Sequence, residues 1–373
     1  MRKERFEMSK LKFGIVGCGV ISKTHASAIS ALSSDAELVA VCDVIEDRAR
    51  KLAQDFGVKK IYTDYEKMLL DPEIDVVSIC TPSGMHADMA VLAADAKKHV
   101  IVEKPMDITL SKADRIIEAQ NRNNVVISII SQHRYSDCMQ LLKRLMNEGK
   151  FGNIVLATSY TKWYRSQEYY DSGSWRGTWN LDGGGALMNQ SIHYIDMIQW
   201  IIGKVVEVYA YCTTRAHKRI EVEDGAVAAV KFENGAIGEI LGTTSAYPGF
   251  ETRLEIFGEN GSAIVVNTQL ESLYFKDGSE KEYLESYKKE DKGPVGASSA
   301  AIKEEGHVRQ YRDVINAIKT GTKPLIPAEE GRHPVEIILA IYLSSLTGKP
   351  IKLPLRSDEE VLKEIEKIKG KGF

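Results

Sequence analysis

The chain has 373 residues, 43% of them apolar and 27% charged, with a formal net charge of -3. That length exceeds what one hydrophobic core comfortably holds, so two domains are expected. The slight acidity excludes nucleic acid as the main partner, because phosphate binding needs a basic surplus.

Five cysteines, at 18, 42, 80, 138 and 212, have neither even parity nor C-x-x-C spacing. They read as reduced thiols of a cytoplasmic protein, not as a disulfide frame or a zinc site. No apolar run approaches a membrane span, and the first ten residues form a charged leader without a signal-peptide core.

Phe13-Gly14-Ile15-Val16 reads as a buried strand that breaks at Gly17-Cys18-Gly19 and becomes helical from about Ser22 to Leu32. Such a turn cradles phosphate. Gly17 takes a backbone angle barred to other residues, Gly19 lets a diphosphate approach closely, and N–H groups around Val20 and Ile21 face the anion. Ser22 stands at the third position, where Gly or Ala is usual. The next strand, Leu38 to Cys42, ends in Asp43, where the first βαβ unit of a dinucleotide fold places the carboxylate that binds the adenosine ribose. Asp43 repels a 2′-phosphate, which favours NAD over NADP.

A helix at Glu46 to Phe56, a strand at Lys60 to Tyr62 and a helix from Asp64 lead to the strand Ile74 to Cys80. Pro82 stops it. Thr81, Pro82 and His86 therefore sit at the carboxyl edge, where open α/β sheets bind ligands. After a helix over Ala87 to Ala96, the strand from His99 delivers Glu103, Lys104 and Pro105 to the same edge. The strand Val125 to Ser131, followed by Gln132-His133-Arg134-Tyr135, completes a doubly covered parallel sheet, so residues 8–135 are expected to be the dinucleotide-binding domain.

After a helix at Cys138 to Asn147 the pattern changes. A long strand, Asn153 to Trp163, precedes a polar, aromatic loop from Arg165 to Asp182 and a helix over Met188 to Ile202. Strands then follow, punctuated by Asn234-Gly235, Asn260-Gly261 and Asp277-Gly278, dipeptides that favour hairpins. Residues 136–373 are expected to form an α/β domain with a largely antiparallel open sheet. Further helices are read at Val308 to Lys319 and Pro334 to Ser345, a mobile loop at Lys288 to Ala300, and a solvated charged helix from Ser357.

Two places carry chemistry. Lys104, at the mouth of the cofactor cleft, can donate a hydrogen bond to a substrate oxygen; the plainer alternative is an ion pair with Glu103. Behind Gly183-Gly184-Gly185, the residues Met188, Ile192, Ile195, Ile198 and Ile202 make a packing stripe, while Asn189, His193 and Asp196 share the other face. His193 is the natural acceptor for an alcohol proton, since imidazole titrates near neutrality. An H-x-x-D pair without a Cys/His cluster argues for hydride chemistry without metal. The aromatics Trp163, Tyr164, Tyr169, Tyr170, Trp175 and Trp179 form either a sugar-stacking wall or core. Tyr135, Tyr169 and His307 join Asn189 and His193 as the substrate-binding set, although the helix opened by His307, Arg309, Gln310 and Tyr311 faces either substrate or solvent. No basic cluster marks a diphosphate site beyond the cofactor's own.

Gly17 and Gly19, Thr81-Pro82 with His86, Glu103-Lys104-Pro105, Trp175-Arg176, the Gly183 to Asp196 stretch and Lys349 to Pro354 together resemble the Gfo/Idh/MocA family almost end to end. The resemblance implies a Rossmann domain followed by an α/β domain whose open sheet mediates assembly into a dimer or tetramer. It also implies that Lys104 and His193 flank the reacting carbon and that Trp175 and Arg176 lie near NAD. Many members carry Asp where this chain has Asn189, and an amide orients a hydroxyl or imidazole without raising the histidine pKa by charge. The wording from Trp175 to Gln190 looks like the branch of nucleotide-sugar 3-dehydrogenases acting on UDP-N-acetylglucosaminuronate. The implied activity is an NAD-dependent dehydrogenase taking hydride from a secondary hydroxyl of a sugar, sugar nucleotide or inositol-like polyol. Alternatives are an NAD-retaining, redox-neutral glycosidase and a non-catalytic NAD-dependent sensor.

Overall fold

Short runs that are apolar on both faces pair first. The computed structural model describes residues 10–287, 304–370 and 372–373; the Lys288 to Ala300 segment and the first nine residues of the leader lie outside them. The strands β1 (Leu11–Val16), β2 (Ala36–Cys42), β3 (Lys60–Tyr62), β4 (Val76–Ile79), β5 (His99–Val102) and β6 (Ile127–Ile129) form a parallel sheet in the order β3-β2-β1-β4-β5-β6. The helices between them are α1 (Ser22–Ala31), α2 (Glu46–Phe56), α3 (Tyr65–Leu69), α4 (His86–Asp95) and α5 (Leu110–Asn123). All four residues of β4 are buried, as a strand covered on both faces requires. Strand order reverses between β1 and β4, which opens a crevice where Gly17, Thr81 and Glu103 leave the sheet.

The second sheet follows α6 (Asp137–Asn147), whose first turn is capped by the Ser136 hydroxyl. Its strands are β7 (Ile154–Lys162), β8 (Val205–Thr213), β9 (Gly225–Phe232), β10 (Ile237–Thr243), β11 (Thr252–Gly258), β12 (Gly261–Val266), β13 (Gln269–Phe275) and β14 (Ile351–Lys352), in the order β13-β12-β11-β7-β10-β9-β8-β14. Only β7 and β10 pair in parallel. Helices α7 (Gln167–Asp171), α8 (Ile192–Ile202), α9 (Glu280–Ser286), α10 (Glu304–Thr320), α11 (Ala328–Thr347) and α12 (Glu359–Ile368) accompany it. The core includes Ile195, Ile198, Ile338 and Ile341 from α8 and α11 with Val208, Val230 and Ile256 from the sheet. The other face is open among the described residues, and Tyr211, Val227, Leu241 and Tyr160 stand in register across β8, β9, β10 and β7.

Three local expectations change. Asn234-Gly235 and Asn260-Gly261 do join antiparallel strands, but Asp277-Gly278 leads from β13 into α9. The hairpin between β12 and β13 turns instead on Asn267 and Thr268, at φ 50 and φ 64, and a turn without glycine leaves no dipeptide signal. The tail helix α12 is amphipathic, with Val361 and Ile365 buried in the core. Finally, α10 packs on α1 and puts Tyr311, Val314 and Ile315 into the cluster around Phe13 and Ile29. Among the described residues, no helix is long and apolar enough to cross a membrane.

Candidate active site

The turn after β1 is fixed by its glycines and by Asp43. Gly17 has φ +85, and a Cβ there would lie 2.7 Å from the Cys80 backbone. Asp43 accepts from the N–H groups of Cys18 and Ile45, both at 2.8 Å. Ser22 is buried, and its hydroxyl donates to the Gly19 carbonyl at 2.6 Å, closing the turn. A Cβ on Gly19 would meet no protein atom within 4 Å, because this residue lines a cleft of about 1050 Å³. No side chain caps the start of α1, so Val20 and Ile21 bring backbone donors to the cleft wall without a competing acceptor.

Thr81, Pro82 and His86 line the same cleft. His86, however, presents no free nitrogen to a ligand: one lies 2.7 Å from the Pro105 carbonyl oxygen and the other 2.9 Å from that of Thr81. It clamps two cleft loops together. Glu103 is likewise held from behind. Its Oε1 lies 2.9 Å from His25 Nε2, and its Oε2 accepts from the Lys104 N–H at 3.1 Å. Burial pushes the Glu103 carboxyl up, but the His25 bond, nearby His307 and Lys104 outweigh it and hold it well below its ordinary value. His25, Glu103 and His307 are close enough together for a metal ion, yet His25 and Glu103 already satisfy each other.

The alternative reading of Lys104, an ion pair with Glu103, is not what forms. Lys104 Nζ instead donates to the Asn189 carbonyl at 2.9 Å, across the boundary between the two sheets. Burial pushes its ammonium below the usual lysine range, against the pull of Glu103 and Asp182. Asn189 lies in a π-helical turn, Ala186–Ser191, that precedes α8 and breaks the spacing expected of one continuous helix. Its amide donates to Asp182 Oδ1 at 2.6 Å. His193 lines the cleft with its ring 5.0 Å from that of His133, centroid to centroid, and has no hydrogen-bond partner among the described residues. Burial, then Lys104 and His133, hold its imidazole well below the usual histidine range. Asp196 does not share this surface: it turns away into a bidentate bond with the fully buried Arg134.

The aromatic loop divides. Trp163, Tyr169 and Trp175 line the cleft, whereas Tyr170 and Trp179 are core. Arg176 also lines it, donating to the Tyr169 hydroxyl at 2.6 Å with its guanidinium 4.3 Å from the ring centroid. Arg165 lies over the same ring at 5.2 Å. Among the described residues neither arginine has a carboxylate partner, so residues 11 apart in sequence assemble the basic cluster that the sequence did not reveal. Tyr135 reaches the cleft but commits its hydroxyl to Asp313 at 2.8 Å. His307 faces the cleft at 1% exposure; its Nε2 lies 3.7 Å from Glu103 Oε1, and neither ring nitrogen makes a hydrogen bond among the described residues.

Residues 11–131 match the oxidoreductase family with an NAD-binding Rossmann fold, and residues 139–264 match the Gfo/Idh/MocA C-terminal domain. The chain belongs to the Gfo/Idh/MocA family. It is 28% identical to the myo-inositol 2-dehydrogenase of Thermotoga maritima, over 92% of this chain and 98% of that one. It is also similar to the WlbA dehydrogenase of Bordetella pertussis, solved with NADH and UDP-GlcNAcA, at 34% identity and TM-score 0.83 over 93% of this chain and 100% of that one. The WlbA dehydrogenase of Chromobacterium violaceum, with the same two ligands, gives 33% and 0.84 over 93% and 96%.

This Gfo/Idh/MocA member is an NAD-dependent dehydrogenase acting on CH–OH groups of sugars or polyols. The residues present fit NAD: the open space at Gly19, the uncapped α1 start and the locked Asp43 make a diphosphate and ribose cradle. Sequence reasoning missed His25, His133, Arg165, Asp182 and Glu223. Glu223 is fully buried and accepts from Gly185 and Leu187 N–H groups at 2.9 and 2.8 Å, so it caps the turn that carries Asn189. Burial pushes its carboxyl up to about 7 against those bonds. A Cβ on Gly185 would strike the Glu223 carbonyl, which explains that glycine. Its only sequence signal is an acid in Glu221-Val222-Glu223-Asp224, indistinguishable from a loop.

Proposed function

We propose that the chain oxidises a secondary hydroxyl of a sugar or sugar nucleotide, with Lys104 and His193 as its catalytic residues. The observation that carries this reading is their convergence: residues 89 positions apart, one behind each sheet, line the cleft that begins at Gly17. NAD, when bound, supplies the hydride acceptor for the carbinol carbon. Everything else falls to the chain. His193 accepts the hydroxyl proton, and a ring without a hydrogen bond among the described residues leaves a nitrogen available. Lys104 donates to the substrate oxygen and stabilises the negative charge that develops there. Asn189 sets their separation through its carbonyl, and His307 offers an unspent nitrogen to a further hydroxyl.

The Arg165 and Arg176 guanidiniums around Tyr169 favour an acidic sugar or sugar nucleotide over a neutral polyol, since cleft arginines without a directly bonded carboxylate select anions. Both WlbA relatives were solved with such a ligand. The open face of the second sheet, with Tyr211 and Val227 exposed, supports a homo-oligomer built through it. The test is NADH formation from UDP-N-acetylglucosaminuronate, free uronates and inositols. Turnover is expected with an acidic substrate, and His193→Ala should lower kcat by about 10²- to 10⁴-fold while NADH still binds. Wild-type turnover in His193→Ala would sink the assignment, and sugar release without NADH would turn the reading to a redox-neutral glycosidase.

A further inference from the structure

Asp182 lies behind the cleft wall at 2% exposure, and both of its oxygens are committed. Oδ1 accepts from the Asn189 amide at 2.6 Å, and Oδ2 accepts from the Gly177 N–H at 2.8 Å. Each bond leads to a cleft cation. Asn189 passes on through its carbonyl to Lys104 Nζ at 2.9 Å. Gly177 follows Arg176, and at φ +67 a Cβ there would lie 2.7 Å from Ile220, so this turn takes only glycine. One buried carboxylate thus sits between the lysine and the arginine arm.

We propose that Asp182 is a positioning residue for Lys104: it orients Asn189, whose carbonyl aims the ammonium, and anchors the peptide that carries Arg176. The proposal rests on the reading of Lys104 given above. Charge supports the geometry. A buried carboxylate is costly unless cations share it, and Arg176 and Lys104 are the cations it faces. Burial pushes its carboxyl up to about 6 against its two hydrogen bonds and those charges. Around Lys104, Glu103 and Asp182 favour the charged form, Arg176 and Arg165 oppose it, and His193 and His133 stand close by. The plainer role for Asp182 is to close the Gly177 turn.

Asp182→Asn separates the two roles. The amide oxygen retains the Gly177 bond, and Asn189 can turn its own oxygen to the new donor, so the fold survives while the charge is lost. Acetylation of the full chain with acetic anhydride across a pH series, read lysine by lysine by mass spectrometry, follows Lys104 without any turnover. In Asp182→Asn, Lys104 is expected to titrate about 1 unit lower, with Lys98 and Lys112 unchanged as controls. With an accepted substrate, kcat should fall about tenfold with little change in KM. An unchanged Lys104 profile in a folded Asp182→Asn protein would overturn the proposal. If that variant does not fold, Asn189→Ala cuts the same line and leaves the Asp182 charge; wild-type kcat in it would overturn the proposal equally. Full turnover by Lys104→Ala would instead remove the functional reading and leave the labelling result standing.

Discussion

An imidazole that accepts a proton at neutral pH must arrive without one. His193 meets this condition because burial, Lys104 and His133 all disfavour its charged form, and His133 is itself pushed down to about 4. The sign follows: a base with a depressed pKa stays available as pH falls through the ordinary histidine range and is lost only below it. The kcat/KM profile, which reports the free enzyme, should therefore show no His193 limb between about pH 8 and about pH 6, and an acid limb in that window belongs to the buried Glu223 and Asp182 carboxyls, pushed up to about 7 and about 6. An acid limb centred at about 6.5 that persists in both Asp182→Asn and Glu223→Gln would show that His193 titrates as a solvated group. Lys104 obeys the same logic with opposite consequence, since its depressed ammonium sets an alkaline limit. Of these residues, Lys104 and His193 are legible in the sequence because each stands beside a local marker, a strand end or a glycine run. Glu223 and His25 are not, because their roles come from partners far along the chain, as with Glu223 and the Gly185 N–H 38 positions away; Asp182 and Arg165 are not, because their partners Gly177, Asn189 and Tyr169 lie in or beside an irregular loop without periodicity.

At the scale of elements, strand runs and helix spans follow from apolar periodicity, and the parallel sheet is readable almost strand by strand. What periodicity cannot show is a change of helical pitch. The π turn Ala186–Ser191 separates Asn189 from Asp196, which uniform α spacing placed on one surface. The β12–β13 hairpin is hidden for a related reason: Asn267 and Thr268 adopt left-handed angles that their residue types do not advertise. Both line the cleft, and Thr268 also bonds Tyr194 through its N–H at 3.1 Å. A β-branched residue at φ 64 is strained. Thr268→Gly should thus stabilise the fold by about 1 kcal/mol in urea unfolding. A loss of stability instead would mean that the threonine side chain contributes more than its backbone costs.

At the scale of the molecule, the second sheet has one face without a covering layer among the described residues. Tyr211 is 69% and Val227 44% exposed, and they are cross-strand neighbours. A homo-oligomer built on this face should dissociate when charges are placed there. Tyr211→Lys with Val227→Lys is expected to run as a monomer in light scattering, with a melting temperature little changed because neither side chain is core. Wild-type mass in that variant would exclude the face as an interface. The expectation of a dimer or tetramer enters the sequence reading through the resemblance alone, for a plain reason: alternation reports which face is apolar, not what covers it.

The return of α10 to the first sheet bears on how this protein can be divided. Phe13, Ile15 and Ile29 share their core with Tyr311, Val314 and Ile315, and the Tyr311 hydroxyl lies 2.6 Å from His25 Nδ1 and 2.7 Å from Ser78 Oγ. A fragment ending near residue 135 would carry every phosphate-cradle residue and still expose part of its own interior. The cofactor half is therefore not a module that can be excised or grafted by a single cut. Its completeness depends on a helix made after β7 to β13 of the second sheet, which ties the readiness of one binding surface to the synthesis of most of the chain.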